Sequence, residues 1–199
     1  MRGVDPRSPE QKAGEREEQG DREVEATEEA PADLVASATT TLSNFTRDPD
    51  MAWFRDNLPA AQGLLIVPTF LRAGFIFGGA GGNGVLITRD SAGGSWSYPA
   101  FYTMAAGSVG LQAGAEVAEV ILMIRSVRGR DAMLGNSLKL GADVGVAAGP
   151  VGAGARVATS DILAFSRSRG LYGGISLDGS VITTRDAWNA AYYGRAVRP

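Results

Sequence analysis

The chain has 199 residues and a formal net charge of −3, a length that suits one domain with a tail. It contains no Cys and no His, which excludes a disulfide framework, thiolate and imidazole metal sites, and a Ser-His-Asp triad within this chain. The charge is split, with ten acidic and five basic side chains in residues 1–30 against twelve and fourteen in residues 31–199, net −5 and +2.

Residues 1–31 are charged, hold Pro6, Pro9 and Pro31, and have almost no large apolar side chains. Such a segment buries too little surface to offset its ordering entropy, so it reads as a disordered acidic tail ahead of one domain over 32–199. In 32–46, Leu34, Ala38, Leu42 and Phe45 recur at helical spacing, with Asp33 as a candidate N-cap. Asp48-Pro49 ends that helix, and a second short helix starts at Pro49, carries Met51, Trp53 and Phe54, and stops near Pro59. These apolar stripes suit packing onto a sheet. A membrane-surface helix is the alternative, and Trp53, Phe54 and Arg55 together favour it in the second helix.

Three apolar runs follow, Leu64–Val67, Ala73–Phe77 and Val85–Thr88, separated by Pro68 and by glycines. Their length and punctuation predict strands. The pattern Gly74–Gly79 then Gly84–Asp90 returns as Gly170–Ile175 then Gly179–Asp186, which predicts two related hairpins. Trp96–Tyr98 begins a return strand, and Pro99–Tyr102 reads as a loop or edge. Period-2 alternation runs through 105–117 and again through 137–148, where Leu138, Leu140, Val144 and Val146 oppose Lys139, Gly141, Asp143 and Gly145. Val120–Ile124 reads as a buried strand, and 151–158 and 161–167 as further strands. Helices are expected over Ser126–Leu134, capped by Ser126 and stopped by Gly135, and over Asp186–Tyr193, closed by Gly194. Twenty-four glycines fall in 63–199, a density that fits sharply bent sheets or close backbone approach. The fold class is therefore α+β, mainly β. It comprises a strongly curved antiparallel sheet, barrel-like or a sandwich, with short N-terminal helices, one mid-chain helix and a short C-terminal helix.

The chemistry-bearing motifs are few. Gly79–Gly84 matches G-x-G-x-x-G, but it leads into Val-Leu-Ile-Thr rather than a helix, so it reads as a glycine hairpin loop and no cofactor is expected. In 32–199, Glu116 and Glu119 form the closest glutamate pair, with nothing beside them to complete an acid–base site. A net charge of +2 is too small to indicate nucleic acid. Arg125, Arg128 and Arg130 share one connector and, with Lys139, could cradle a phosphate; the plainer reading is a solvated helix face. Arg72 sits between Phe70-Leu71 and Ala73-Gly74-Phe75, a cation beside aromatics that suits a membrane interface. No run reaches the length of a transmembrane helix, and the N-terminus lacks an apolar signal region. The expected location is membrane-associated and cytoplasmic as written, or the periplasm or cell envelope if an export signal is missing from this sequence.

The order of motifs resembles the SYLF domain family. The residues that carry it are Leu58–Ile66, Arg72-Ala-Gly-Phe-Ile-Phe-Gly-Gly79, Gly84–Ile87 with Trp96–Pro99, Gly110–Gly114, Ser137–Gly141, Ala147–Gly152, Phe165–Gly174, Gly179-Ser180 and Tyr193-Gly194. They span about residues 34–195. The resemblance implies non-enzymatic binding of phosphoinositides or other anionic phospholipids at a membrane surface, and in eukaryotic members a link to actin and trafficking. It also puts Arg72 at the family's basic position. Without SH3 or FYVE neighbours, the chain is similar to the stand-alone bacterial members. The expected lipid-binding residues are Arg72, Trp53, Phe54, Phe70, Leu71, Arg128, Arg130 and Lys139. The alternatives are a scaffolding module that binds a protein partner through a sheet edge or glycine-rich surface, and a carrier of a small apolar ligand inside a curved sheet.

Overall fold

Residues 31–47 form a helix, α1, that buries Ala38 and Phe45 and half-buries Leu34, Val35 and Leu42. The computed structural model describes residues 31–74, 77–90, 94–109, 114–152, 158–168 and 170–199. The expected acidic tail lies outside the described residues, apart from Pro31. Pro31 is buried in α1, so Asp33 stands inside that helix rather than capping it. Asp48 is the next cap, its carboxylate accepting the Asp50 N–H at 2.9 Å. A 3-10 turn over Pro49–Met51 leads into α2 (Ala52–Asn57), and a second one over Leu58–Ala60 ends the helical segment.

The strands are β1 (Gly63–Gly74), β2 (Phe77–Thr88), β3 (Ala100–Val109), β4 (Gly114–Ile124), β5 (Ser137–Lys139), β6 (Val146–Ala148), β7 (Ile162–Ser168), β8 (Leu171–Gly174) and β9 (Val181–Thr184). Helix α3 (Val127–Met133) begins at Ser126, whose hydroxyl accepts the Gly129 N–H, and α4 (Asp186–Tyr193) ends at Gly194 with φ 64°. The strands make one sheet in the order β5-β9-β3-β2-β1-β4-β7-β6, with β8 following β6 along the same edge of β7. All pairs are antiparallel except β6–β7, so the expected curved antiparallel sheet holds with one parallel pair at its edge.

The two ends of this order are consecutive in the chain. Only residues 140–145 join β5 to β6, and Leu140 bridges Val144. A link that short forces the sheet to curl into a half-barrel, so that Leu138 from one end and Ile162 and Ala164 from the other share one buried cluster. That concave core also takes Leu65, Val67, Phe70, Leu86, Tyr102, Met104, Val120, Leu122 and Ile124, with Met133 of α3. The expected ligand-carrier interior is thus filled by the protein's own side chains. Strand alternation sends Leu64, Ile66, Val85, Phe101, Ile121, Met123, Leu163 and Phe165 to the convex face, where Phe45, Met51 and Phe54 of the N-terminal helices cover them. Burying that many large side chains, at about 1.5–3 kcal/mol each, is what holds the helices down.

Several strand expectations change. Leu64–Val67 and Ala73-Gly74 belong to one strand, because β1 runs through Pro68 by means of a bulge, while Phe77 opens β2 and residues 75–76 of the second expected run lie outside the described residues. A central strand tolerates Pro at such a point. Pro99–Tyr102 is no loop, since β3 starts at Ala100. The second hairpin does not form: β8 pairs β7, whereas β9 lies between β3 and β5. The alternation over 137–148 splits into β5 and β6 around Gly141, whose φ of 83° turns the chain. Of the expected strand over 151–158, residues 153–157 lie outside the described residues, as do 110–113 of the alternating stretch before β4.

Candidate functional site

The bulge decides where the convex face stops being covered. Ile66 pairs Val85 and Leu71 pairs Gly81, while Val67 pairs Val120 and Phe70 pairs Ala118. β1 therefore carries one more residue than either neighbour across Pro68-Thr69. The extra residue keeps Phe70 in the concave core beside Val67 and turns Leu71 to the convex side. Opposite the bulge the backbones come close. A Cβ on Gly82 would collide with the Thr69 carbonyl oxygen, and one on Gly84 would lie 2.9 Å from a Val67 methyl. The glycine run is thus part of β2, placed there by close approach rather than by a loop.

Level with the bulge, a polar row crosses the convex face. Tyr172, Arg167 and Glu119 are register partners on one side, and Asn83, Thr103, Thr183 and Ser137 on the other. Arg167 Nη1 lies 2.7 Å from Glu119 Oε2, and Thr41 of α1 donates to Glu119 Oε1 at 2.8 Å. The Tyr172 hydroxyl donates to the Asn44 carbonyl at 3.1 Å. On the far side, Thr103 and Arg185 both donate to Asn83 Oδ1, at 3.0 and 2.8 Å. Burial holds the Arg185 guanidinium below its usual pKa, and its charge rests on the Trp188 ring at 3.9 Å. This row fixes the register of α1 and α4 on the sheet and marks where the helices end.

Beyond the row the same face is bare. Val117, Leu71, Gly81, Ala105 and Val181 are successive register partners across β4, β1, β2, β3 and β9, and Lys139 of β5 ends the line. Val117 is 55% exposed, Leu71 48% and Val181 36%. One step further out lie Ala115, Ala73, Gly79 and Gly107, again in register and all exposed. A contiguous apolar face of this kind on a folded domain is a candidate interaction site.

The residues expected to meet lipid are scattered by the fold. Phe54 lies in the convex core and Phe70 in the concave core, both fully buried. Trp53 is half-buried, stacked on Phe165 at 6.2 Å, with Arg125 above it at 5.9 Å. Leu71 and Arg72 are neighbours in a central strand, so they face opposite sides of the sheet, and Arg72 is the register partner of Glu116. Arg130 is held by its neighbour Asp131 at 2.9 Å. Arg128 donates to the Asp143 carbonyl, and the Lys139 backbone N–H donates to the Asp143 carboxylate, which ties α3 to the turn 139–143. Glu116 and Glu119 serve as acceptors for Ser168 and Arg167. Sequence reasoning picked out Leu71 but missed Val117, Ala105 and Val181. The signal for Ala105 and Val117 was the alternation of small and apolar residues in 105–117, which by itself does not tell a covered face from a bare one.

Among the described residues no group of His, Cys, Asp or Glu is placed to hold a metal ion, and no helix is long and apolar enough to cross a membrane. The described residues form a half-barrel with helices over part of its outside and an apolar remainder. Residues 105–199 match the family described as Ysc84, Las17-binding protein actin regulator. LAS seventeen-binding protein 3 of Saccharomyces cerevisiae is 36% identical over 150 residues, covering 70% of this chain and 32% of that protein. SH3 domain-containing YSC84-like protein 1 is 31% identical over 175 residues in Xenopus laevis, covering 85% of this chain and 51% of that protein. The human protein of the same name is 31% identical over 144 residues, with 69% and 42% covered. The chain belongs to the SYLF, or Ysc84-type, domain family. It spans about a third to a half of the length of these relatives. No solved structure matches it.

Proposed function

We propose that this chain is a non-enzymatic binding domain that docks a protein partner on the bare end of its convex face. The observation that carries this reading is the run of exposed apolar partners Val117, Leu71, Gly81, Ala105 and Val181 beyond the polar row. The names of the relatives, as Las17-binding and actin-regulating proteins, support a protein partner of the actin-regulating kind. The test is binding of the purified chain to Las17 and to filamentous actin, with Leu71→Asp as control. The expected result is binding to one of them that falls at least tenfold in the variant, with an unchanged melting temperature. Equal binding by the two proteins, or none by the wild type, removes the reading.

A second reading is docking on an anionic phospholipid surface. Lys139 at the end of the apolar row favours it, since exposed apolar groups flanked by a cation suit a charged membrane interface. Co-sedimentation with phosphatidylserine-containing vesicles, absent with neutral ones and weakened by salt, is its expected result. Arg72→Glu is the control that separates the two faces of the sheet. Loss of vesicle binding in that variant would place the lipid contact on the concave side.

A further inference from the structure

Two arginines meet the polar row, and they are held in different ways. Arg167 meets the Glu119 carboxylate at 2.7 Å. Arg185 meets an amide: its Nη1 donates to Asn83 Oδ1 at 2.8 Å, and its Cζ lies 3.9 Å from the centre of the Trp188 ring. An arginine can only donate, so the Asn83 oxygen faces it and the Asn83 NH₂ is turned away. Thr103 donates to that same oxygen, which holds the amide in this orientation. No described carboxylate forms an ion pair with Arg185, Asp186 beside it in the chain included. Its remaining side-chain N–H groups have no partner among the described residues, and none of them is sealed from water. This half-buried guanidinium has given up part of its hydration for one neutral oxygen and a ring. An anion is what completes it.

We propose that Arg185 receives a carboxylate of the protein that docks on the bare face. The inference rests on that docking reading and names the chemistry of its partner, an acidic side chain set beside apolar ones. Position supports it. Gly81 and Ala105 of the apolar row lie two residues from Asn83 and Thr103 on the same strands and the same face, about 7 Å away. That is the spacing of side chains at i and i+2 of an extended segment. Arg185, Asn83 and Thr103 are each half-buried, so a partner can reach all three. The Trp188 ring under the guanidinium is itself packed on Phe101, at a centroid distance of 6.2 Å, which braces the fork. A single braced fork suits one carboxylate, whose two oxygens match its paired N–H groups. A membrane surface is held by clusters of basic residues. With Arg167 paired, this face adds only Lys139 to Arg185 among its described register partners.

Asn83→Asp tests this with little change of shape, since it sets a carboxylate where the amide stands. It should satisfy Arg185 from within, keep or raise the melting temperature, and close the site to an outside anion. The probe is the peptide Leu-Ser-Glu-Ser-Leu, capped at both ends, with glutamine in place of glutamate as control, followed by NMR at the Trp188 indole N–H of the full chain. The expected result is a saturable shift with the glutamate peptide in the wild type, absent with the glutamine peptide and absent in Asn83→Asp and Arg185→Gln. Equal responses to the two peptides, no response to either, or an undiminished response in both variants overturns the inference. Las17 and filamentous actin score the docking reading separately. Whichever of them the wild type binds should be bound about tenfold more weakly by Arg185→Gln, the loss of a charge-assisted hydrogen bond. Loss of that binding in Leu71→Asp, with Arg185→Gln and Asn83→Asp binding as the wild type does, leaves the docking reading standing and removes the carboxylate site. A glutamate-dependent shift in a chain that binds neither protein does the reverse. Binding to phosphatidylserine vesicles that Arg185→Gln abolishes, while the glutamate peptide shifts nothing, would assign the fork to a lipid phosphate and overturn the proposal.

Discussion

The convex face has two halves built on the same four central strands. In the half below the polar row, Leu64, Ile66, Val85, Ile121 and Met123 are buried under the N-terminal helices and in contact with Phe45, Met51 and Phe54. In the half above it, Leu71, Val117 and Val181 stand in solvent beside alanines and glycines. Strand geometry is the same in both, so the difference lies in side-chain size and in what has been placed on top. The large residues are where the protein covers itself, and the small ones are where it leaves a surface. Stability is therefore carried by one stretch of these strands, and the proposed docking surface lies on another.

Substitution should separate the halves. Phe54→Ala removes a ring packed between Phe45 and Phe165, at centroid distances of 6.0 and 5.2 Å. It is expected to cost about 3–5 kcal/mol in a denaturant titration, whereas Leu71→Ala should stay within about 0.5 kcal/mol. Equal losses would mean that the upper half is part of the core. The boundary comes next. Glu119→Ala leaves Arg167 without its carboxylate partner and frees Thr41 of α1, with an expected loss of about 1–2 kcal/mol and faster amide exchange in α1 than in β1. Unchanged exchange in α1 would show that the polar row does not position the helix.

The smallest effect lies away from both halves. The Ser126 hydroxyl donates to Asp161 at 2.6 Å, and the Gly145 N–H and the Arg128 charge add to it, so the Asp161 carboxyl is held below its ordinary value of 3.8. A depressed carboxylate contributes stability that is fully present above its unfolded-state pKa and is lost as the pH falls through the folded one. Wild type and Ser126→Ala should therefore differ at neutral pH and converge as the pH falls below 3.8, when melting is followed along the acid branch. A difference that stays constant across that range would assign the loss to the helix cap alone.

Much of this was legible in the sequence because local signals decide it. Leu34, Ala38, Leu42 and Phe45 mark the buried stripe of α1, Ser126 and Gly135 bracket α3, and Gly194 closes α4. Pairing was not legible, because alternation says that a segment is a strand and not which strand lies beside it. Residues 171–174 and 181–184 look like a hairpin by analogy with β1 and β2, yet a separate neighbour claims each. The bulge was hidden for another reason. Pro68 reads as a break from sequence alone, and only Gly82 and Gly84 across from it, where a side chain would strike β1, reveal that the strand continues. The opposite facing of Leu71 and Arg72 follows from that continuity, and so does the separation of two residues that sequence had grouped as one lipid contact.

The place of β9 bears on how the chain is made. It is the last strand to leave the ribosome, yet it fills the gap between β3 and β5, pairing Tyr102–Ala105 on one side and Ser137–Lys139 on the other. Until Val181–Thr184 emerges, β3 has a neighbour only in β2, and its other edge is a row of unmatched peptide groups. The nascent protein passes through a stage in which most of the sheet can form while that edge stays open to any extended segment nearby. A chain interrupted before residue 181 lacks β9, which leaves the outer edge of β3 without its partner strand.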